Sequence, residues 1–88
     1  MQRIQFYAGE ERHVRLSVHA MNHEPFLIRS AHWSLCRAGG LEAEGECIID
    51  DHIIDAKISP AQRAIYLLCI TYQVADETLI EQIEVVVK

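Results

Sequence analysis

Five histidines, three cysteines and a run of carboxylates are the residues able to do chemistry in this chain. His13, His19, His23, His32 and His52, with Cys36, Cys47 and Cys69, are the types that bind zinc. None forms an HExxH pair or a Cys/His pair at zinc-finger spacing. His13 and His19 stand three strand repeats apart, and His32 and Cys36 lie about 13 Å apart along an extended chain, too far to share one ion. Glu42, Glu44 and Glu46, followed by Asp50, Asp51 and Asp55, raise calcium instead. Calcium needs about six to eight oxygens converging on a tight turn. Carboxylates at every second residue spread along a strand in steps of about 7 Å. They read as a solvated acidic edge that discourages strand-to-strand association, and the Asp50-Asp51 turn is the better place for a weak site. No metal and no cofactor is expected. No serine, cysteine or aspartate sits in a nucleophile motif, and there is no phosphate loop or dinucleotide fingerprint. The chain reads as a non-enzyme.

The cysteines are odd in number and widely spaced, which fits neither a disulfide framework nor a CxxC metal pattern. Reduced, half-buried thiols are expected over a Cys36–Cys69 cross-strand bridge. The N-terminal Met1-Gln2-Arg3-Ile4-Gln5 has no signal-peptide pattern, so synthesis in the cytoplasm is expected. The 88 residues suit one domain spanning 1–88. Half are hydrophobic and 24% charged, as in a folded soluble chain. The formal charge of -5 argues against nucleic acid and anionic membrane as partners. No apolar run has membrane-span length.

These residues must be positioned by strands. Pro60 and the polar Gln62-Arg63 break the chain before Ile65–Tyr72, a run rich in aromatic and β-branched residues that reads as a central strand. His13, Arg15, Ser17 and His19 alternate with Val14, Leu16, Val18 and Ala20, the signature of a strand with one wet face. Period-two segments also cover residues 4–6, 31–36, 41–47, 54–58 and 78–87. Gly39-Gly40, Asp50-Asp51 and Ala75-Asp76-Glu77 mark turns. No helix-period segment of useful length occurs. Seven short strands with turn signals every eight to twelve residues describe a β-sandwich or small barrel.

Trp33 on the third strand and Ala64-Ile65-Tyr66-Leu67-Leu68 at the start of the sixth resemble immunoglobulin-like domains. The resemblance implies an all-β, seven-stranded antiparallel immunoglobulin-like Greek-key sandwich. It also implies that the Tyr66 hydroxyl bonds back to nearby backbone. Leu68 takes the place of one core cysteine, and Leu16 or Val18 that of the other, so the inter-sheet disulfide is absent. Fibronectin type III modules are similar, but they usually carry their tryptophan on the second strand. Pro25-Phe26, Ala31-His32-Trp33-Ser34-Leu35, and Tyr72 followed by Ala75-Asp76-Glu77-Thr78 also resemble short immunoglobulin-like proteins encoded among bacterial prophage structural genes. That implies a virion or tail accessory role and incorporation in a phage particle.

In the family order, strands one, two, five and four form one sheet, and strands three, six and seven the other. Ala43 and Trp33 are among the residues expected inward. The first sheet shows an ordinary charged face. The second shows His32, Ser34, Cys36, Leu67, Cys69, Ile80, Gln82 and Val86, with little charge, a candidate protein interface. A homodimer through this face is the simplest form; a larger assembly is the other protein partner considered. His23, Glu24 and Phe26, on the long connection beside the Ala75 turn, are candidate loop contacts. The competing reading is a carbohydrate or small-ligand module, for which Tyr7, Phe26 and Tyr72 are the available aromatics.

Overall fold

The computed structural model describes residues 2–19 and 25–88. Among them there is no helix, and the strands form two stacked sheets. The strands are β1 (Gln2–Phe6), β2 (Arg12–Ser17), β3 (Ile28–Arg37), β4 (Gly40–Glu46), β5 (Ile48–Asp50), β6 (Ile53–Ile58), β7 (Ala64–Val74) and β8 (Glu77–Val87). One sheet has the order β1-β8-β7-β3-β4, the other β2-β6-β5. The molecule measures 41 × 21 × 20 Å, its long axis matched to the eleven-residue strands β7 and β8. Ala20, at the end of the expected second strand, and the Met21–Glu24 part of the connection lie outside the described residues.

Alternation drives the packing. On β7, Tyr66, Leu68, Ile70 and Tyr72 are buried, while Ile65, Leu67, Cys69 and Thr71 turn to the other side. Opposite them in register lie Leu35, Trp33 and Ala31 of β3 and Val85 and Ile83 of β8. Phe6, Val14, Ile54 and Ile58 complete the core. Burying each large side chain contributes roughly 1.5–3 kcal/mol before the entropy of ordering it. Three hairpins have two-residue turns at places the sequence marks. At Ala38-Gly39 both residues have positive φ, 52° and 79°, which suits the right-handed twist of the flanking strands.

The count and pairing of strands differ from expectation. Among the described residues there are eight strands, and β1 runs parallel to β8, with Ile4 level with Val85 and Phe6 with Val87. The pair is secured at its end by Lys88 N–H donating to the Phe6 carbonyl at 2.9 Å and Ala8 N–H donating to the Lys88 carbonyl at 3.0 Å. The apolar Ile4 and Phe6 fit the same face as Val85 and Val87, so the first strand joins the larger sheet instead of the second strand's sheet.

The expected fourth strand is divided. β4 stays beside β3; the chain then turns at Cys47, whose N–H donates to the Ala31 carbonyl at 3.0 Å, and β5 enters the smaller sheet. Ala43 shares a face with Leu35 yet is exposed, because only the three-residue β5 follows on that side of the small sheet. Its neighbour Gly45 does the packing: an added Cβ there would meet the Trp33 indole at 3.0–3.1 Å. Trp33 is half-buried against the core, not sealed within it.

Candidate functional site

The outer face of the five-stranded sheet can be read in rows from β4 across to β1. One row runs Glu46, His32, Thr71, Ile80; the next Glu44, Ser34, Cys69, Gln82; the next Leu41, Cys36, Leu67, Glu84, Arg3. Ile65, Val86 and Gln5 form the last. All eight residues expected on this face, His32, Ser34, Cys36, Leu67, Cys69, Ile80, Gln82 and Val86, therefore lie together. Ile80 is 63% exposed and Ile65 62%. Ile65 was missed in the sequence reading, although its parity with Leu67 and Cys69 marks it.

The carboxylates of β4 belong to this face too, because β4 pairs with β3 and not with the smaller sheet. His32 stands between Glu46 and Glu44, its Nδ1 3.5 Å from Glu46 Oε1 and its Nε2 3.9 Å from Glu44 Oε2. At the opposite edge Arg3 pairs with Glu84 at 3.3 Å. The centre of the face holds no charge, and its edges do. Sequence parity placed these side chains on a face but could not say which sheet carried β4.

Cys36 lies opposite Leu67, and Cys69 opposite Ser34, so the two cysteines are offset diagonally. Diagonal neighbours stand about 7–8 Å apart, beyond the reach of a disulfide, and all three cysteines are free thiols. Burial, with the nearby charges of Glu46 and Asp55, pushes the Cys47 thiol up to about 11.

The loop end of the sandwich gathers the β2–β3 connection, the β5–β6 turn and the β7–β8 turn. The Phe26 and His52 rings stack with centroids 4.0 Å apart at 12°. His52 Nε2 lies 3.2 Å from the Phe26 carbonyl and 3.7 Å from Asp51 Oδ1. Pro25, Phe26, Leu27, Arg29, Val74 and Ala75 line a cleft of about 560 Å³, which Arg29 closes on one side by donating to the Ala75 carbonyl at 3.2 Å. Phe26 thus pins two connections together, and Leu27, 79% exposed, is the freer side chain. The other two loop residues singled out in the sequence, His23 and Glu24, lie outside the described residues.

Three aromatics were weighed for ligand stacking. Tyr7 is exposed, Tyr72 is buried and Phe26 is occupied by His52. On the smaller sheet His13 and Arg15 both meet Asp55, at 2.7 and 3.1 Å, an ordinary surface ion cluster. Among the described residues no group of three or more metal-ligating side chains converges. The Gln62 N–H donates to the Tyr66 hydroxyl oxygen at 3.2 Å, the local bond expected of a tyrosine at this position.

No protein-family model matches the chain, and no curated protein matches it. In a comparison with solved structures it is similar to an engineered protein whose crystal structure was determined by the Northeast Structural Genomics Consortium. The TM-score is 0.79 at 18% identity over 99% of this chain. The likeness spans 18% of the length of that protein and concerns the fold alone.

Proposed function

We propose that the chain is a non-catalytic interaction module on an immunoglobulin-like sandwich, which self-associates through the outer face of its five-stranded sheet. Several features support the immunoglobulin-like reading. The third and seventh strands are neighbours and carry Trp33 and Tyr66. Leu68 lies in the core, and Leu16 and Val18, the residues the resemblance sets in place of the other cysteine, pack against it. The strand order, with β4 added beside β3, follows the variable-type plan of a sheet extended on that edge. A virion or tail accessory role, implied by the prophage resemblance, is the setting proposed for such a module.

The observation that carries self-association is an uncharged centre with exposed aliphatic side chains, bounded by an Arg3–Glu84 ion pair on one side and carboxylates on the other. Exposed Ile65 and Ile80 flank Leu67, Cys69 and Val86, with the Arg3–Glu84 pair at one edge and Glu44 and Glu46 at the other. A two-fold axis parallel to the strands sets the β1 edge of one copy against the β4 edge of the second. Arg3 then approaches a carboxylate edge. Five strands at about 4.8 Å spacing and six residues at about 3.3 Å rise make a face of roughly 24 by 20 Å. Two such faces bury about 1,000 Å², the lower bound for a specific contact.

Sedimentation across a concentration series tests this reading. The wild-type chain is expected to be dimeric or larger at high concentration. Leu67→Glu, which puts a charge into the uncharged centre, is expected to lose this association while keeping the wild-type urea midpoint. A wild-type monomer at high concentration would overturn the reading, and so would a Leu67→Glu chain that assembles as the wild type does.

A further inference from the structure

Of the eight residues grouped on the outer face, only His32 can take a positive charge, and each of its ring nitrogens stands beside a carboxylate. Nδ1 lies 3.5 Å from Glu46 Oε1 and Nε2 3.9 Å from Glu44 Oε2. A neutral imidazole has one N–H and can donate to only one of them; the imidazolium has two and can donate to both. In a single copy the difference matters little. The side chains of His32, Glu44 and Glu46 are 44%, 57% and 82% exposed, so water supplies the missing donor. The other groups around His32 hold no fixed charge. On β7 Thr71 stands opposite, with Cys69 and Gln73 diagonal to it; on β3 Ser34 is next on the same face and Cys36 lies beyond. Farther along β4, Glu42 is bound to Arg37 at 2.9 Å.

The face-to-face arrangement proposed above, on which this inference rests, changes that balance. A two-fold axis parallel to the strands and centred on β7 sets β3 of one copy across from β8 of the second, at the same height along the strands. His32 and Ile80 share a row, so His32 faces Ile80 of the second copy. Ile80 is 63% exposed, and its aliphatic side chain displaces water without offering a hydrogen bond. Along that facing strand Gln82 follows, and then Glu84, already paired with Arg3. Glu77 and Glu81 alternate to the opposite side of β8.

We propose that self-association through this face takes up protons at His32, so that acid tightens the contact and alkali loosens it. Beneath the cover two carboxylates need two donors, and only the imidazolium has them. It also balances one of two like charges that association carries into a drier setting. The sign follows from linkage: a proton held more strongly in the associated form favours that form as pH falls.

Sedimentation equilibrium of the full chain at about pH 5.5 and about pH 8 tests this, a range in which histidines titrate and ordinary carboxylates do not. The wild-type chain is expected to associate roughly tenfold more tightly at the lower value. His32→Asn is expected to associate equally at both, and so is the double variant Glu44→Gln with Glu46→Gln. Acid also lowers the net negative charge of the whole chain, so His13→Asn, on the smaller sheet, serves as the control and is expected to keep the wild-type difference. Unchanged Trp33 fluorescence verifies the fold of each variant. Equal wild-type affinity at both values overturns the linkage and leaves the face-to-face reading standing. A His32→Asn chain that keeps the full difference does the same, as does a His13→Asn chain that loses it. A wild-type chain that is monomeric at both values overturns the face-to-face reading and the linkage with it.

Discussion

Tyr66 ties a local bond to the central packing. Its ring is 2% exposed among the core side chains, and its hydroxyl reaches out to accept the Gln62 N–H. The segment Ser59–Arg63 between β6 and β7 is thereby held against the strand it enters. The Arg37 guanidinium lies 5.9 Å from the ring centroid, near the limit of a cation–π contact. Tyr66→Phe keeps the buried ring and removes the acceptor. Gln62 is exposed, so water can take over its N–H, and the expected loss is about 1 kcal/mol. Urea denaturation should give a lower midpoint with an unchanged slope.

At the scale of elements, β4 matters more than its exposed residues suggest. It widens the larger sheet to five strands, brings Glu44 and Glu46 beside His32, and presses Gly45 onto the Trp33 indole. Register fixes the last contact, because Gly45 lies opposite Trp33. In Gly45→Ala the added methyl meets three indole atoms at 3.0–3.1 Å. Since the indole packs on the core, it has little room to yield. The strain is expected to outweigh the smaller unfolded-state entropy of alanine, for a net loss of about 1 kcal/mol. Trp33 is the only tryptophan, so a shift in its emission would report the displacement directly. A stabilised variant with wild-type emission would mean that β4 moves away freely.

For the molecule as a whole, the resolved titrations point to weakness at alkaline pH. Cys47 is pushed up from 9.0 to about 11 by burial and then by Glu46 and Asp55; Tyr72 is raised by burial and then by Glu81. In both, folding favours the protonated form. Their stabilisation is complete below the unfolded values and is lost as pH rises through the folded ones. Stability is therefore expected to fall between about pH 9 and 11, by less than the full shift implies, because water screens the half-exposed Cys47. Denaturation series in that range should show a shallower decline for Cys47→Ala. The readout is the slope, since the substitution also changes packing. At neutral pH the same shift leaves the Cys47 thiol protonated and slow to react.

The strand faces and the turns at Gly39, Asp51 and Ala75 were legible in the amino-acid order, because each depends on neighbours a few residues away; the Tyr66 hydroxyl bond came from the resemblance to immunoglobulin-like domains. Alternation told which side chains share a face, and for that reason His32, Ser34, Cys36, Leu67, Cys69, Ile80, Gln82 and Val86 could be grouped before any coordinates. It could not tell which sheet a strand would join. The parallel entry of β1 and the division of β4 from β5 at Cys47 come from pairings between distant segments. A period of two is the same whichever neighbour a strand takes. Only the competition among strands for backbone partners and for the finite width of the core decides the matter.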